Sequence, residues 1–154
     1  MKIREYKIKK IIGEGTYATV YKVKDQFGGV YAMKVLPNNP ERNDRLITEL
    51  QILEKLKNQS HVCFSVDVFV TEQKDTCIIM NLYSSDLYHI LCVKERFSLK
   101  RTQFYAKSIL KGIAVFHRHR ILHRDLKLEN ILWKRPHKIK IADFGLSCIL
   151  DENR

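Results

Sequence analysis

The sequence predicts an α+β protein built in two parts, with strands concentrated before residue 83 and helices after it. Short runs rich in β-branched and aromatic residues fill the first part, and apolar residues recur at helical spacing in the second. The polar segment Tyr83-Ser84-Ser85 separates the two parts. A chain of 154 residues with 45% hydrophobic content is long enough to bury a core of its own.

Five strands and one helix are predicted in the first part. Each strand prediction depends on a β-branched or aromatic run that is bounded by glycine, proline or polar residues. The strands are predicted at residues 6–12, 19–24, 30–36, 62–70 and 76–82. A helix is predicted at residues 43–56, because Leu46, Leu50 and Leu53 recur on one of its faces.

Two helices are predicted in the second part, at residues 86–93 and 98–117. Ser98 is a suitable N-cap for the longer helix, because its hydroxyl can accept from an unpaired N–H of the first turn. The buried stripe of that helix is predicted from apolar spacing, and its members are Ala106, Ile109, Leu110 and Ile113.

A glycine-containing loop joins the first two predicted strands, and residues 13–20 have the sequence Gly-Glu-Gly-Thr-Tyr-Ala-Thr-Val. Glycines allow backbone N–H groups to approach phosphate oxygens because no Cβ stands in the way. An ordinary hairpin turn would have the same composition. A dinucleotide-binding fingerprint is excluded because its glycines must open a helix, whereas a strand follows this loop.

Lys34 lies inside an apolar run, Val30-Tyr31-Ala32-Met33-Lys34. A lysine within such a strand is costly unless an anion meets its ammonium group. A surface lysine on an edge strand is the alternative interpretation.

The most informative segment is residues 123–130, His-Arg-Asp-Leu-Lys-Leu-Glu-Asn, followed by Asp143-Phe144-Gly145. It contains an acid, a cation, an amide and a second acid at spacings that suit transfer of the γ-phosphoryl of a Mg-bound nucleotide to a hydroxyl. Carboxylate and amide oxygens are also the hard ligands that Mg²⁺ prefers.

On these motifs the chain resembles the eukaryotic protein kinases, from about Tyr6 to Ser147. The resemblance implies a kinase N-lobe and hinge at residues 1–83. A partial helical C-lobe would follow at residues 84–154, ending in the early activation segment. The loop sequence Gly-Glu-Gly-Thr-Tyr is similar to cyclin-dependent kinases, whereas residues 82–88 and 97–99 are similar to dual-specificity tyrosine-regulated kinases.

The resemblance implies a catalytic role for Asp125, which would orient the attacking hydroxyl and accept its proton. Lys127 would lie against the γ-phosphate and offset developing charge. It also favours serine and threonine over tyrosine as the acceptor. Asn130 and Asp143 would hold Mg²⁺.

Three residues beside these are assigned supporting roles by the same resemblance. His123 and Phe144 would pack the catalytic loop against the following segment, with no chemistry assigned to the imidazole. Arg124 would bind a phosphate on the activation segment.

The resemblance also implies an ATP site, in which Lys34 contacts the α- and β-phosphates and pairs with Glu49. Glu54 is the weaker candidate for that pairing, because helix positions turn by about 100° per residue and Glu54 falls off the Glu49 face. Loop residues would surround the phosphates, apolar residues would sandwich the adenine, and hinge residues would contact its edge. These residues are Ile12, Gly13, Glu14, Gly15, Thr16, Val20, Ala32, Met80, Asn81, Tyr83 and Leu132.

After Gly145 the sequence continues for nine residues, whereas the family continues with an activation segment and further helices. An incomplete C-lobe would expose apolar surface on the helix at residues 98–117. Such a surface favours aggregation or a partner that covers it, and the other expected partners are ATP and a protein substrate carrying serine or threonine.

The balance of 28 Lys+Arg against 17 Asp+Glu gives a net charge of +11. Because the basic residues are spread in short runs without interleaved aromatics, solvated faces and a phosphate site account for them best. We expect no membrane partner. The four cysteines show no metal-ligand spacing, and the first residues form no apolar signal segment. An intracellular protein, cytoplasmic or nuclear, is expected.

Three functions are compatible with the sequence. The favoured one is an ATP-dependent protein serine/threonine kinase with an incomplete catalytic domain. The alternative is a catalytically inactive ATP-binding module that acts through a protein partner. A nucleic-acid-binding protein is the least favoured, because only the net charge indicates it.

Overall fold

The computed structural model describes residues 2–94, 96–135 and 138–150. The chain divides into two compact units. Unit 1 comprises Met1–Glu41 and Ser65–Leu82, and unit 2 comprises Arg42–Phe64 and Tyr83–Arg154. The structure therefore groups Arg42–Phe64 with the second part of the chain, although the sequence division assigns these residues to the first.

Unit 1 contains one antiparallel sheet of six strands. They are β1 (Lys2–Ile3), β2 (Tyr6–Glu14), β3 (Thr19–Lys24), β4 (Val30–Leu36), β5 (Ser65–Val70) and β6 (Thr76–Asn81). Their order in the sheet is β1-β2-β3-β4-β6-β5. The five predicted strands are confirmed, and the two-residue β1 was not predicted. The strand predicted from Val62 begins only at Ser65, because Val62 bridges Ile141 and the Cys63 N–H donates to the Ile141 carbonyl at 2.8 Å.

The core of unit 1 lies on one face of this sheet and is rich in aromatic rings. Tyr6 is buried, stacks on Phe69 at 6.0 Å and meets Tyr31 edge-on at 6.3 Å between ring centroids. The other buried members are Val23, Met33, Cys77 and Ile79. Stacked and edge-on ring pairs stabilise a core beyond the free energy gained by burying their apolar area. This aromatic cluster therefore makes this face of the sheet the one that packs in the core of unit 1.

Unit 2 contains three helices, α1 (Asn43–Lys55), α2 (Leu87–Lys94) and α3 (Leu99–Arg118). All three were predicted to within a residue or two. Ser98 is the N-cap of α3, as predicted, since its hydroxyl accepts from the Arg101 N–H at 3.4 Å. Among the described residues, no helix is long and apolar enough to span a membrane.

The predicted buried stripe of α3 is wrong at two of its four positions. Ala106 and Leu110 are exposed, with Leu110 at 65%, whereas Ile109 and Ile113 are half-buried. The buried residues of the helix are Tyr105, Ser108, Gly112, Val115 and Phe116. The helix is rotated relative to the predicted face because two large aromatic rings and a close approach at Gly112 decide which side packs inward.

The remaining strands of unit 2 are short and were not predicted. They are β7 (Ser85–Asp86), β8 (Ile121–Leu122), β9 (Ile131–Lys134), β10 (Lys138–Ile141) and β11 (Cys148–Ile149). They form a three-stranded sheet in the order β10-β9-β7 and a β11-β8 pair. Runs of two to four residues carry too little periodicity to be recognised, yet β8 and β9 flank the segment with the predicted catalytic residues.

Candidate active site

The carboxylate of Asp125 is held by two donors from the loop between β8 and β9. Lys127 Nζ lies 2.9 Å from Asp125 Oδ2, and Asn130 Nδ2 lies 3.0 Å from the same oxygen. Asn130 Nδ2 also donates to the Asp125 carbonyl at 2.9 Å. The structure therefore brings together three of the four predicted catalytic and metal-binding residues, and both donors address one carboxylate oxygen.

Lys127 supplies a permanent positive charge beside this carboxylate. Its hydrogen bond to Asp125 raises the pKa of the ammonium above its ordinary value. The side chain is 48% exposed, so the ion pair is a weak contributor to stability. The arrangement suits a ligand anion that approaches from solvent, since the lysine stays charged at neutral pH.

Asn130 links the catalytic loop to the segment that carries Asp143. Its side chain is buried, and its carbonyl accepts from the Ala142 N–H at 2.9 Å. Because Nδ2 is committed to Asp125, the amide presents Oδ1 as its acceptor. A hard oxygen at this position is the kind of donor that Mg²⁺ accepts, and Asp143 follows Ala142 directly.

The donor set near Asp125 fits magnesium better than a metal that needs a full protein cage. Within the described ranges, no group of three or more His, Cys, Asp and Glu residues could hold a metal ion. Mg²⁺ is bound through one or two protein groups together with substrate phosphates, so Asn130 and Asp143 would suffice. Zinc or iron would require more nitrogen or sulfur ligands than these residues provide.

His123 occupies the packing position expected of it. The imidazole is buried against the rings of Phe116 and Phe144, at 5.6 and 5.3 Å between centroids, and these two rings also meet edge-on at 5.7 Å. Nε2 lies 3.0 Å from the Ala142 carbonyl, and Nδ1 accepts from the Asp125 N–H at 3.3 Å. Burial lowers the pKa of His123, which favours the neutral ring that these two hydrogen bonds require.

Two residues of the site have left-handed backbone conformations, Arg124 with φ of 63° and Asp143 with φ of 67°. Such conformations cost about 1–3 kcal/mol for residues other than glycine, so the surrounding structure must hold them. Arg124 Nε donates to the Leu146 carbonyl at 2.6 Å, and the Ser147 hydroxyl donates to the His123 carbonyl at 3.0 Å. This role of Ser147 was not predicted, because a serine after the second motif has no distinctive spacing.

A cavity of about 450 Å³ lies beside Arg124 in unit 2. Its lining residues come from α1 and from the segment after Phe144, and they are Asp44, Arg45, Thr48, Arg124, Gly145, Leu146, Ser147 and Cys148. Two guanidinium groups line this space together with one carboxylate. The predicted binding of a phosphate by Arg124 stays a prediction.

The predicted nucleotide-binding residues of unit 1 are neighbours in its sheet. Gly13 pairs with Val20 across β2 and β3, and Val20 pairs with Lys34 across β3 and β4. Ala32 pairs with Met80 on β6. Since direct partners project to one side, these side chains share a face of the sheet. The loop between β2 and β3 is closed by the Gly15 N–H, which donates to the Ala18 carbonyl at 3.0 Å.

The other loop and wall residues of unit 1 lie at the edges of this face. Ile12 is 41% exposed. It has no direct partner on β3, because the β2–β3 register shifts between Ile11 and Gly13. Glu14 and Thr16 are exposed, as is Asn81 at the end of β6. Their contacts with a nucleotide stay predictions.

Unit 2 carries the remaining predicted nucleotide residues. Glu49 is buried on α1, and burying a carboxylate is costly unless the charge is paired or hydrogen-bonded. Leu132 on β9 and Tyr83 are half-buried, and burial raises the pKa of the Tyr83 hydroxyl. The pairing of Lys34 with Glu49 stays a prediction.

The chain belongs to the protein kinase family, since the protein kinase domain matches residues 6–154. It is 32% identical over 156 residues to NUAK family SNF1-like kinase 1 of Homo sapiens, covering 97% of this chain and 23% of that protein. It is 34% identical over 153 residues to dual specificity tyrosine-phosphorylation-regulated kinase 3 of Rattus norvegicus, covering 93% of this chain and 26% of that protein.

A third relative is the probable serine/threonine-protein kinase fhkC of Dictyostelium discoideum, 30% identical over 158 residues, with 97% of this chain and 26% of that protein covered. The chain thus spans about a quarter of the length of these relatives. The predicted α+β fold of the kinase family is confirmed.

Proposed function

We propose that this chain binds Mg-ATP and transfers the γ-phosphoryl group to a serine or threonine hydroxyl of a protein. The observation that supports this most directly is the Asp125 carboxylate, with Lys127 and Asn130 both bound to Oδ2. Within the described residues, that geometry leaves Oδ1 to meet a substrate hydroxyl. Membership in the protein kinase family supports the same chemistry.

Each residue then has a limited task in the reaction. Asp125 orients the acceptor hydroxyl and takes its proton as the oxygen attacks phosphorus, while the bond from phosphorus to the bridging oxygen breaks and ADP leaves. Lys127 offsets charge on the phosphoryl oxygens. Bound Mg²⁺ would neutralise the phosphates, and Asn130 and Asp143 are the residues that would hold it. The left-handed backbone conformations of Arg124 and Asp143 support a site that is partly preorganised for the transfer.

Nucleotide binding is tested by the thermal stability of the chain with and without Mg-ATP. A competent site gains about 2.7 kcal/mol when ligand is 100-fold above Kd. Lys34→Ala should abolish this gain because it removes the proposed phosphate contact. Lys107→Ala, an exposed lysine on α3, is the matched control and should keep the full gain. Equal shifts in both variants would rule out the proposed nucleotide site.

Catalysis is tested separately by phosphoryl transfer from labelled ATP to a generic protein substrate. Asp125→Asn keeps the shape of the side chain and should lower the rate about 10²- to 10⁴-fold, the usual effect of a positioned proton acceptor. Glu72→Gln, an exposed acid in the loop between β5 and β6, is the control and should leave the rate unchanged. ATP binding without any turnover in the wild-type chain would instead establish the inactive ATP-binding module.

A further inference from the structure

Lysines form a row across three strands at one end of the unit 1 sheet. Lys2 on β1 is the direct partner of Lys7 on β2, and Lys7 is the direct partner of Lys24 on β3. Neighbouring strands lie about 4.8 Å apart, and direct partners project to the same face. Three lysine side chains therefore project from the same face of neighbouring strands, and all three residues are exposed.

A second pair of lysines joins this row because of an irregularity in β2. Simple alternation would place Lys7 and Lys9 on one face and Lys10 on the other. The register instead shifts between Ile8 and Lys10, so that Lys10 pairs with Lys22. An extra residue in one strand reverses the facing of the residues after it. Lys2, Lys7, Lys10, Lys22 and Lys24 together are called the lysine face.

This arrangement is unfavourable for folding by itself. Like charges that lie directly opposite across strands are destabilising, and cross-strand pairs are worth about 0.2–1 kcal/mol each. The described strand positions that share this face carry no acidic side chain, since the partners of Lys22 and Lys24 on β4 are Ala32 and Val30. An external anion would remove the repulsion.

The nearby acids are committed to other groups. Asp25 accepts from the Phe27 and Gly29 N–H groups at 2.9 and 2.7 Å within the turn after β3. Glu5 lies 3.6 Å from the Arg4 guanidinium. Both carboxylates therefore have partners outside the lysine face.

Apolar side chains lie at the end of the lysine row. Phe27, in the turn between β3 and β4, is 88% exposed, and Val30, the direct partner of Lys24, is 42% exposed. An exposed aromatic ring next to a charged patch is a typical anchor of a protein–protein contact. The positive charges of the lysine row and the exposed apolar side chains of Phe27 and Val30 are therefore adjacent.

We propose that the lysine face is a docking surface for an extended acidic segment of a partner protein, with Phe27 and Val30 receiving an apolar residue at one end of that segment. Lys22 and Lys24 are two residues apart on β3, about 7 Å, which matches the spacing of alternate side chains in an extended strand. Complementary charge of this kind guides association and selects partners. Phe27 supplies one aromatic ring at the end of the row, whereas single-stranded nucleic acids are held by successive aromatic rings along the strand.

Binding is tested by fluorescence anisotropy with the 154-residue chain and a labelled peptide that alternates glutamate and alanine and ends in leucine. Lys7→Glu/Lys24→Glu should weaken binding at least about tenfold, because both changes repel the acidic residues. Lys100→Glu/Lys107→Glu, on exposed positions of α3, changes the net charge equally and should weaken binding less than about twofold. Phe27→Ser should weaken binding of the leucine-ended peptide more than of the same peptide ending in serine.

The measurement also separates the proposal from other anionic partners. Equal losses in the two double variants would show that net charge alone binds the peptide, and would overturn the proposal. Tighter binding of duplex DNA, or of vesicles containing phosphatidylserine, than of the peptide would do the same. The peptide titration contains no nucleotide and measures no phosphoryl transfer, so its result is independent of the proposed catalysis, although Lys22 is the direct partner of Ala32 in the proposed nucleotide site.

Discussion

The cysteines differ in how deeply they are buried, and burial determines the reactivity of their thiols. Cys63 and Cys77 are buried, whereas Cys92 is exposed. Burial raises the pKa of Cys63 to about 12 and that of Cys77 to about 11, from an ordinary value of 9.0. The thiolate is the reactive form of cysteine. Both buried residues are therefore slow to react, because reagents cannot reach them and because their thiols stay protonated.

We expect a disulfide reagent at pH 8 to modify Cys92 rapidly and to reach Cys63 and Cys77 only after unfolding. Because the folded state holds these two thiol protons more tightly, both contribute stability below about pH 9 that is lost as pH rises towards 11–12. The measurement is absorbance of the released thiolate, followed by mass spectrometry. Rapid labelling of Cys63 or Cys77 in the folded Cys92→Ser variant would contradict this expectation.

At the same scale, the sequence located Asp125, Lys127 and Asn130, because they lie within six residues and local geometry brings them together. It did not predict that one oxygen, Oδ2, receives both donors. It also carried no sign of the hydrogen bond from Ser147 to the His123 carbonyl, which spans 24 positions. Contacts between distant positions depend on how the segments pack.

At the scale of elements, α3 shows why a predicted helix can be present with the wrong face buried. Its apolar residues form a broad arc that extends to the exposed Leu99 and Leu110, so periodicity leaves the centre of the buried face undecided. Gly112 helps to decide it, because a Cβ there would lie 2.7 Å from Ile141 Cδ1. A Cβ at this position would therefore require the Ile141 side chain to shift.

We expect Gly112→Ala to destabilise the protein although alanine favours helix by about 1 kcal/mol. Overpacking of a tight core contact costs about 1–3 kcal/mol, which exceeds that gain. The measurement is the free energy of unfolding in urea. Ile141→Val removes the clashing Cδ1, so the double variant should be more stable than the sum of the single changes predicts. Strict additivity would contradict the proposed clash.

At the scale of the whole molecule, the net charge of +11 opposes folding by self-repulsion. Exposed ion pairs such as that between Arg4 and Asp67, at 3.6 Å, offset little of it. Salt shortens the range of repulsion from about 10 Å at 0.1 M to about 3 Å at 1 M. Stability should therefore depend on ionic strength.

We expect the melting temperature to rise when KCl is increased from about 0.05 to 0.5 M, since screening removes net repulsion. Each 1 kcal/mol gained corresponds to about 2–4 °C for a chain of this length. Lys100→Glu/Lys107→Glu lowers the net charge by four, from +11 to +7, and should show a smaller rise. A fall in melting temperature with salt would mean that attractive pairs dominate.

The sequence by itself determined the family, the five longer strands, the three helices and the loop that carries Asp125, because these depend on local periodicity and short spacings. The tertiary structure decided which face of α3 is buried, where the short strands of unit 2 pair, and that Lys10 joins the lysine face. Each of these is set by packing or strand register between segments far apart in the chain. A one-residue shift in register reverses a side chain without changing the sequence pattern.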